Sequence, residues 1–187
     1  MERLIVGISG ASGTPLACRF VEQVARYTQC EIHIVTTDSA RLTAQYEASE
    51  QFEEMLKYAT CVYDNAAMGQ SIASGTFDTV GMVVIPCSMK TVAGIASGYS
   101  DNLLLRAADV TLKEQRPLVL VARETPMNSI HLRNLSTLAA LPGVSIMPPM
   151  LTYYHNPASI EDMEDQLIGK IFHRFGFVYP PFHEWHG

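Results

Sequence analysis

The sequence predicts an α/β protein: a doubly wound, mainly parallel sheet with helices on both faces. Two observations carry this reading. Short apolar runs of strand length alternate with longer stretches whose apolar residues recur every three or four positions. No run is followed by a tight hairpin signal, so the strands are joined by crossovers and lie parallel.

The first run is Leu4-Ile5-Val6-Gly7-Ile8, followed by a Gly/Ser turn and a helix over 15–27 with Leu16, Phe20, Val21 and Val24 at helical spacing. Residues 31–36 form the second strand, and Asp38 or Ser39 is placed to cap a helix through Tyr46. Residues 49–78 are less regular: Phe52, Met55 and Leu56 suggest a helix, and Val62-Tyr63 a short strand. Order returns with a strand over 79–85, stopped by Pro86. Helices over 89–97 and 101–114 follow, then a strand over 118–121, a helix over 129–141, a strand over 144–147 and an amphipathic helix over 160–175. Without repeats, linkers or low-complexity tracts, residues 1–187 read as a single domain.

Composition narrows the function. A hydrophobic share of 48% against 17% charged residues leaves apolar surface to be covered, which favours a homo-oligomer. The net charge of -6 argues against nucleic acid as a partner. Cys18, Cys30, Cys61 and Cys87 share no CxxC spacing, no charged and apolar leader precedes the first strand, and no apolar run approaches a membrane span. The chain reads as cytoplasmic, with reduced thiols and no membrane association. The six histidines are scattered, which gives no metal-ligand spacing.

Three strand ends carry ligand chemistry. Gly7-Ile8-Ser9-Gly10-Ala11-Ser12-Gly13 is neither the GxGxxG fingerprint nor a Walker loop. Its small residues let backbone N–H groups approach an anion at the amino end of the next helix, or simply form a tight turn. In Pro86-Cys87-Ser88-Met89-Lys90-Thr91, Ser88 and Thr91 are three apart, so an N-cap competes with a ligand role. In Arg123-Glu124-Thr125-Pro126, Arg123 is placed to clamp a phosphate, and Glu124, protonated or shared with Lys113, to donate a proton. The helix over 101–114 sets Arg106, Asp109 and Lys113 on one line of its surface. Alone that triplet is a solvated ladder; the polar strand ends converging on one sheet edge favour a binding crevice. Tyr153-Tyr154-His155, Lys170 and the single Trp185 form a further cluster, whose tyrosines and tryptophan read, on sequence alone, as hydrophobic anchors of the carboxyl-terminal segment.

Together these motifs, with Ala73-Ser74-Gly75, Arg106-Ala107-Ala108-Asp109-Val110, Leu112-Lys113-Glu114 and His131-Leu132, resemble the UbiX/Pad1 family of flavin prenyltransferases. The style is that of the small B subunits encoded beside UbiD-like hydroxyarylic acid decarboxylases. The resemblance implies a flavodoxin-like or Rossmann-like homo-oligomer, typically a dodecamer. It implies FMN, a dimethylallyl monophosphate substrate, no metal, and transfer of the allyl group to N5 and C6 of reduced FMN. The prenylated FMN then passes to a UbiD-type decarboxylase.

By the same resemblance Gly10, Ala11, Ser12, Thr37, Ser88, Met89, Lys90, Thr91 and Arg123 hold FMN. Arg106, Lys113, Tyr154 and Lys170 grip the prenyl phosphate, some of them from adjacent subunits. Glu47 and Glu124 handle protons or orient the phosphate, Trp185 covers the allylic site, and Ser12, Arg106 and Lys113 complete the catalytic set. Two departures stand out: Lys170 takes the place of an arginine, which removes bidentate phosphate binding there, and Ala122 replaces a proline before Arg-Glu. Two competitors remain. An FMN-dependent cysteine decarboxylase of related fold is suggested by Pro126-Met127-Asn128 but lacks the Arg106/Lys113 grip. A noncatalytic FMN carrier has no use for Lys113, Glu124, Tyr154 and Trp185.

Overall fold

The computed structural model describes residues 2–184. Six strands form one sheet: β1 (Arg3–Ile8), β2 (Glu31–Thr36), β3 (Cys61–Asp64), β4 (Gly81–Cys87), β5 (Leu118–Ala122) and β6 (Val144–Ile146), in the order β3-β2-β1-β4-β5-β6. Every pairing is parallel. This is the strand order of Rossmann-type doubly wound sheets, and the expected fold class holds. The helices are α1 (Thr14–Tyr27), α2 (Asp38–Glu47), α3 (Ser49–Leu56), α4 (Met89–Ser97), α5 (Leu103–Lys113), α6 (Ser129–Ala139) and α7 (Ile160–Arg174).

Alternate strand residues feed two cores, because side chains on a strand point to opposite faces. Val6, Ile34, Val83 and Val121 face α1, α2, α3 and α7, where Phe20 and Phe172 meet edge to face at 6.0 Å. Ile5, Val35, Val84 and Leu120 face α4, α5 and α6, packed on Leu104 and Leu138. Burial on both faces is why the strands read as unbroken apolar runs.

The irregular stretch after α2 resolves into α3, β3 and a 3-10 turn, Ser71–Ala73. As an edge strand, β3 buries only Tyr63, so its sequence alternates weakly. The cap of α2 is Thr37, not Asp38 or Ser39: its Oγ1 accepts from the Ala40 amide at 3.1 Å. The Thr37 amide still donates to the Ile8 carbonyl at 3.0 Å, so the residue that makes the last strand hydrogen bond is also the helix cap.

At the amino end of α1, an anion is present, but it belongs to the chain. Gly13, at φ 125 in the region that favours glycine, turns the chain into the helix. The Glu47 carboxylate, at the end of α2, accepts from the Gly13 and Thr14 amides at 3.0 and 2.9 Å. Of the two readings left open for the glycine loop, this end of α1 has the tight turn at Gly13 with negative charge supplied by Glu47. Slight burial alone would raise the Glu47 carboxyl; the Ser12 hydroxyl and the two amides outweigh it and hold the group below the usual carboxylate range. A depressed acid stabilises the fold above its unfolded-state pKa, and that contribution disappears as pH falls through the lowered value. Glu47→Ala is expected to cost about 1 kcal/mol, as for loss of an N-cap, in urea unfolding followed by circular dichroism at neutral pH. The gap from wild type should close in acid, well below the ordinary glutamate value of about 4.3; a pH-independent gap would mean that the carboxylate charge is not what holds α1.

Candidate functional site

The sheet order reverses between β1 and β4, and the strand ends there are sewn together by side-chain and backbone hydrogen bonds. The Ser9 amide and hydroxyl both donate to the Pro86 carbonyl, at 3.2 and 3.0 Å, and the Ser88 amide donates to Ser9 Oγ at 2.8 Å. Ser88 then caps α4, its Oγ accepting from the Thr91 amide at 3.3 Å. At the next crossover Asn102 caps α5 through the Leu105 amide at 3.0 Å, while the Asn65 carbonyl and Oδ1 accept from Leu103 and Leu104. The amino ends of α2, α4 and α5 thus open onto one cleft of about 510 Å³, within the usual span of roughly 300–1,000 Å³ for small-molecule sites.

Of the residues that the family resemblance assigns to flavin, Gly10, Thr37, Ser88, Lys90 and Thr91 line this cleft. A Cβ on Gly10 would collide with Ser39, so the first loop presses on the start of α2. Helix amino ends carry unpaired amides and partial positive charge, and beside the carboxylates of Asp38 and Asp101 they join Lys90 and the hydroxyls of Thr37, Ser88 and Thr91 in a donor-rich wall suited to an anionic ligand. Ser9, Ser39, Asn65, Tyr99 and Asn102 also line it. Of these, Asn65 had no local signal: the amides it accepts from lie 38 and 39 residues further along the chain.

Ala11 and Met89 stand apart, their side chains turned into the buried interior. Ser12 faces the neighbouring groove with Glu47. Arg123 is exposed, held beside Ser88 by its amide, which donates to the Cys87 carbonyl at 3.0 Å. Cys87 itself is fully buried, which pushes its thiol up and removes it as a nucleophile.

The expected phosphate grip is not assembled within one chain. Arg106 donates through Nη1 to Asp109 at 2.6 Å and through Nε to the Ala73 carbonyl at 3.3 Å. Lys113 pairs with Glu114, and Glu124 accepts from the Thr125 amide at 3.0 Å, which corrects the expected sharing of Glu124 with Lys113. The reason is the crossover: α5 runs back toward the amino edge of the sheet, so Lys113 lies about 16 Å of strand β5 away from Arg123 and Glu124. Tyr154 and Lys170 do come together, in a groove of about 940 Å³ between β6, α7 and the carboxyl-terminal segment, where the Lys170 ammonium is 5.8 Å from the Phe182 ring centroid. Trp185 lies outside the described residues. Among the described residues no three His, Cys, Asp or Glu side chains cluster as metal ligands, and no helix is long and apolar enough to cross a membrane.

The geometry has counterparts among known proteins. Residues 1–174 match the family model described as Flavoprotein. A probable UbiX-like flavin prenyltransferase of Sedimentibacter hydroxybenzoicus is 47% identical over 99% of this chain and 97% of its own. The flavin prenyltransferase UbiX of Escherichia coli K12 is 44% identical, covering 100% of both chains. Among solved structures, AnUbiX (PadA1) in complex with FMN and dimethylallyl pyrophosphate superposes with a TM-score of 0.95 at 39% identity, over 100% of this chain and 98% of that one. A dodecameric FMN-dependent UbiX-like decarboxylase from Escherichia coli O157:H7 gives 0.95 and 39%, over 100% of each. Peptidyl-cysteine decarboxylase EpiD, at 17% identity and a TM-score of 0.62, shares the fold alone. With its switch-point cleft and full-length likeness to these enzymes, the chain belongs to the Flavoprotein family and, within it, to the UbiX-like flavin prenyltransferases.

Proposed function

We infer that the chain transfers a dimethylallyl group from dimethylallyl monophosphate to N5 and C6 of reduced FMN. The observation that carries this is the cleft at the β1/β4 reversal, lined by five of the residues matched to the family's flavin-binding motif. Its donors fit FMN: three helix amino ends, hydroxyls and one ammonium suit a phosphate and a polyol, and the Thr36 hydroxyl beside Thr37 is buried without a partner. Gly10, Thr37, Ser88, Lys90 and Thr91 bind the mononucleotide, and Arg123, exposed beside Ser88, closes the site. Residues 1–187 act as one flavoprotein unit.

When bound, the reduced isoalloxazine supplies the nucleophilic positions that take the allyl group. The C–O bond of the substrate breaks with its electron pair on phosphate, so the leaving group needs positive charge around it. Arg106, Lys113, Tyr154 and Lys170 supply hydrogen bonds and charge. Because one chain holds them in three separate places, they serve sites shared between adjacent copies. The solved relative described as dodecameric supports that reading, as do the exposed apolar side chains of Leu42, Tyr46, Met150 and Leu151, which need cover. Ser12 and Glu47 hold a proton between hydroxyl and carboxylate, and Glu124 delivers one at the carboxyl end of β5. Lys170 binds phosphate as a point charge, without the planar fork of arginine. The product passes to a UbiD-type decarboxylase, and the chain works in the cytoplasm without metal.

Anaerobic incubation with reduced FMN and dimethylallyl monophosphate is expected to yield flavin heavier by one prenyl unit in mass spectrometry; dimethylallyl pyrophosphate, run in parallel, tests the choice of phosphate. Unchanged flavin in both would favour an FMN carrier. Glu124→Gln should retain FMN binding and slow turnover about a hundredfold, the lower range for a lost general acid or base; full turnover would remove Glu124 from the mechanism.

A further inference from the structure

The backbone over residues 73–78 attracts an unusual number of cations. Arg106 Nε donates to the Ala73 carbonyl at 3.3 Å. Arg116 donates through Nη2 to the Gly75 carbonyl at 2.9 Å and through Nη1 to the Phe77 carbonyl at 2.8 Å. Arg3 donates to the Asp78 carbonyl at 3.3 Å, its guanidinium 4.8 Å over the Phe77 ring. The Lys113–Glu114 ion pair lies against Gly75.

On the sheet side the preceding turn is tied down by a short polar chain. The Ser71 hydroxyl is 2.8 Å from the Tyr63 hydroxyl, which is 2.8 Å from Nδ1 of the buried His33. At the other end Asn65 holds the start of α5 through the Leu103 and Leu104 amides. The loop is therefore fixed to the sheet by His33, Tyr63, Arg3 and Arg116, and it in turn meets the two cations of α5 that face away from the core.

We propose that residues 73–78 form a positioning strap, with Gly75 at its centre, that sets where Arg106 and Lys113 stand. The proposal rests on reading those two cations as ligands of the allyl phosphate. The Ala73 carbonyl and Asp109 together engage two of the three guanidinium nitrogens of Arg106, which fixes the plane of the fork. Gly75 acts by having no side chain. A Cβ there would lie 2.7 Å from Lys113 Nζ and would overlap the Glu114 carboxylate. Both obstacles are the tips of flexible side chains, and Gly75 is not among the glycines at positive φ, so alanine fits the backbone and only the ion pair must move. Displacing a positioned group by about 1 Å is enough to cost up to roughly a hundredfold in rate.

Gly75→Ala isolates this effect. The expected result is a rise of about tenfold in KM for dimethylallyl monophosphate together with a lower kcat, with FMN affinity by flavin fluorescence and the thermal melt at wild-type values. Adding Glu114→Ala, which empties the space that the new methyl group needs, should return KM toward wild type; a purely structural defect would not be rescued. Tyr63→Phe, which cuts the tie between His33 and Ser71, should raise KM in the same direction. Arg106→Ala separates the two layers of the argument. If it raises KM while Gly75→Ala and Tyr63→Phe leave KM unchanged, the strap is refuted and the phosphate reading stands. If Arg106→Ala also leaves KM unchanged, the cations do not bind the phosphate and both fall. Loss of FMN affinity in step with the rise in KM, or no rescue by Glu114→Ala, likewise overturns the strap.

Discussion

The seam between β1 and β4 is the constraint on which the site depends. Both faces of the sheet are covered, so every connection must cross over, and the crossover direction has to change once. At that change the loops after β1 and β4 part, leaving a crevice that no side chain of the core fills. Ser9 closes the gap between the strand ends without closing the crevice, because it spends its hydrogen bonds on the Pro86 carbonyl and the Ser88 amide. The donors around it are then free to face a ligand. That tie holds the loop after β1 to the amino end of α4.

Charge is arranged on two levels. Inside one chain, acidic groups settle helix ends: Glu47 sits on α1, and Asp162 accepts from the Ala158 and Ser159 amides ahead of α7. Asp165 binds Arg19 and the Tyr179 hydroxyl, which holds α7 and the segment after it against α1. The basic residues are disposed differently. Arg106, Lys113 and the pair of Tyr154 and Lys170 lie at three separate places on the surface, the disposition expected for the proposed phosphate site completed by neighbouring copies. An allyl phosphate ionises productively only where water is kept away, and a boundary between subunits is such a place. The exposed apolar residues are consistent with this, since a sheet buried on both faces does not need them for its own core.

Several parts were readable from residues alone. Strand and helix alternation came from period, and the strands were legible because two-sided burial makes them almost wholly apolar. The cleft residues Gly10, Ser88, Lys90 and Thr91 were legible because strand ends and helix starts bring them to one edge in any sheet of this class, whereas Thr37 was named only through the family resemblance. The cap of α2 was displaced by one residue, since a strand's last hydrogen bond, Thr37 to Ile8, is not written in local sequence. The edge strand β3 was faint because only Tyr63 has to be buried there. Asn65 was invisible because the amides it satisfies are far away in the chain.

What the sequence by itself determined was the layered α/β architecture and the chemistry gathered at the carboxyl edge, because hydrophobic period and capping residues act locally. What only the tertiary structure decided was the division of the cations. Arg106 and Lys113 look like members of one site when read along a helix, yet α5 carries Lys113 to the far edge of the sheet and the loop over 73–78 fixes Arg106 to a carbonyl. The identity of the anion at α1 was decided the same way: a glycine loop ahead of a helix predicts negative charge there, but that Glu47 provides it follows from where α2 ends in space.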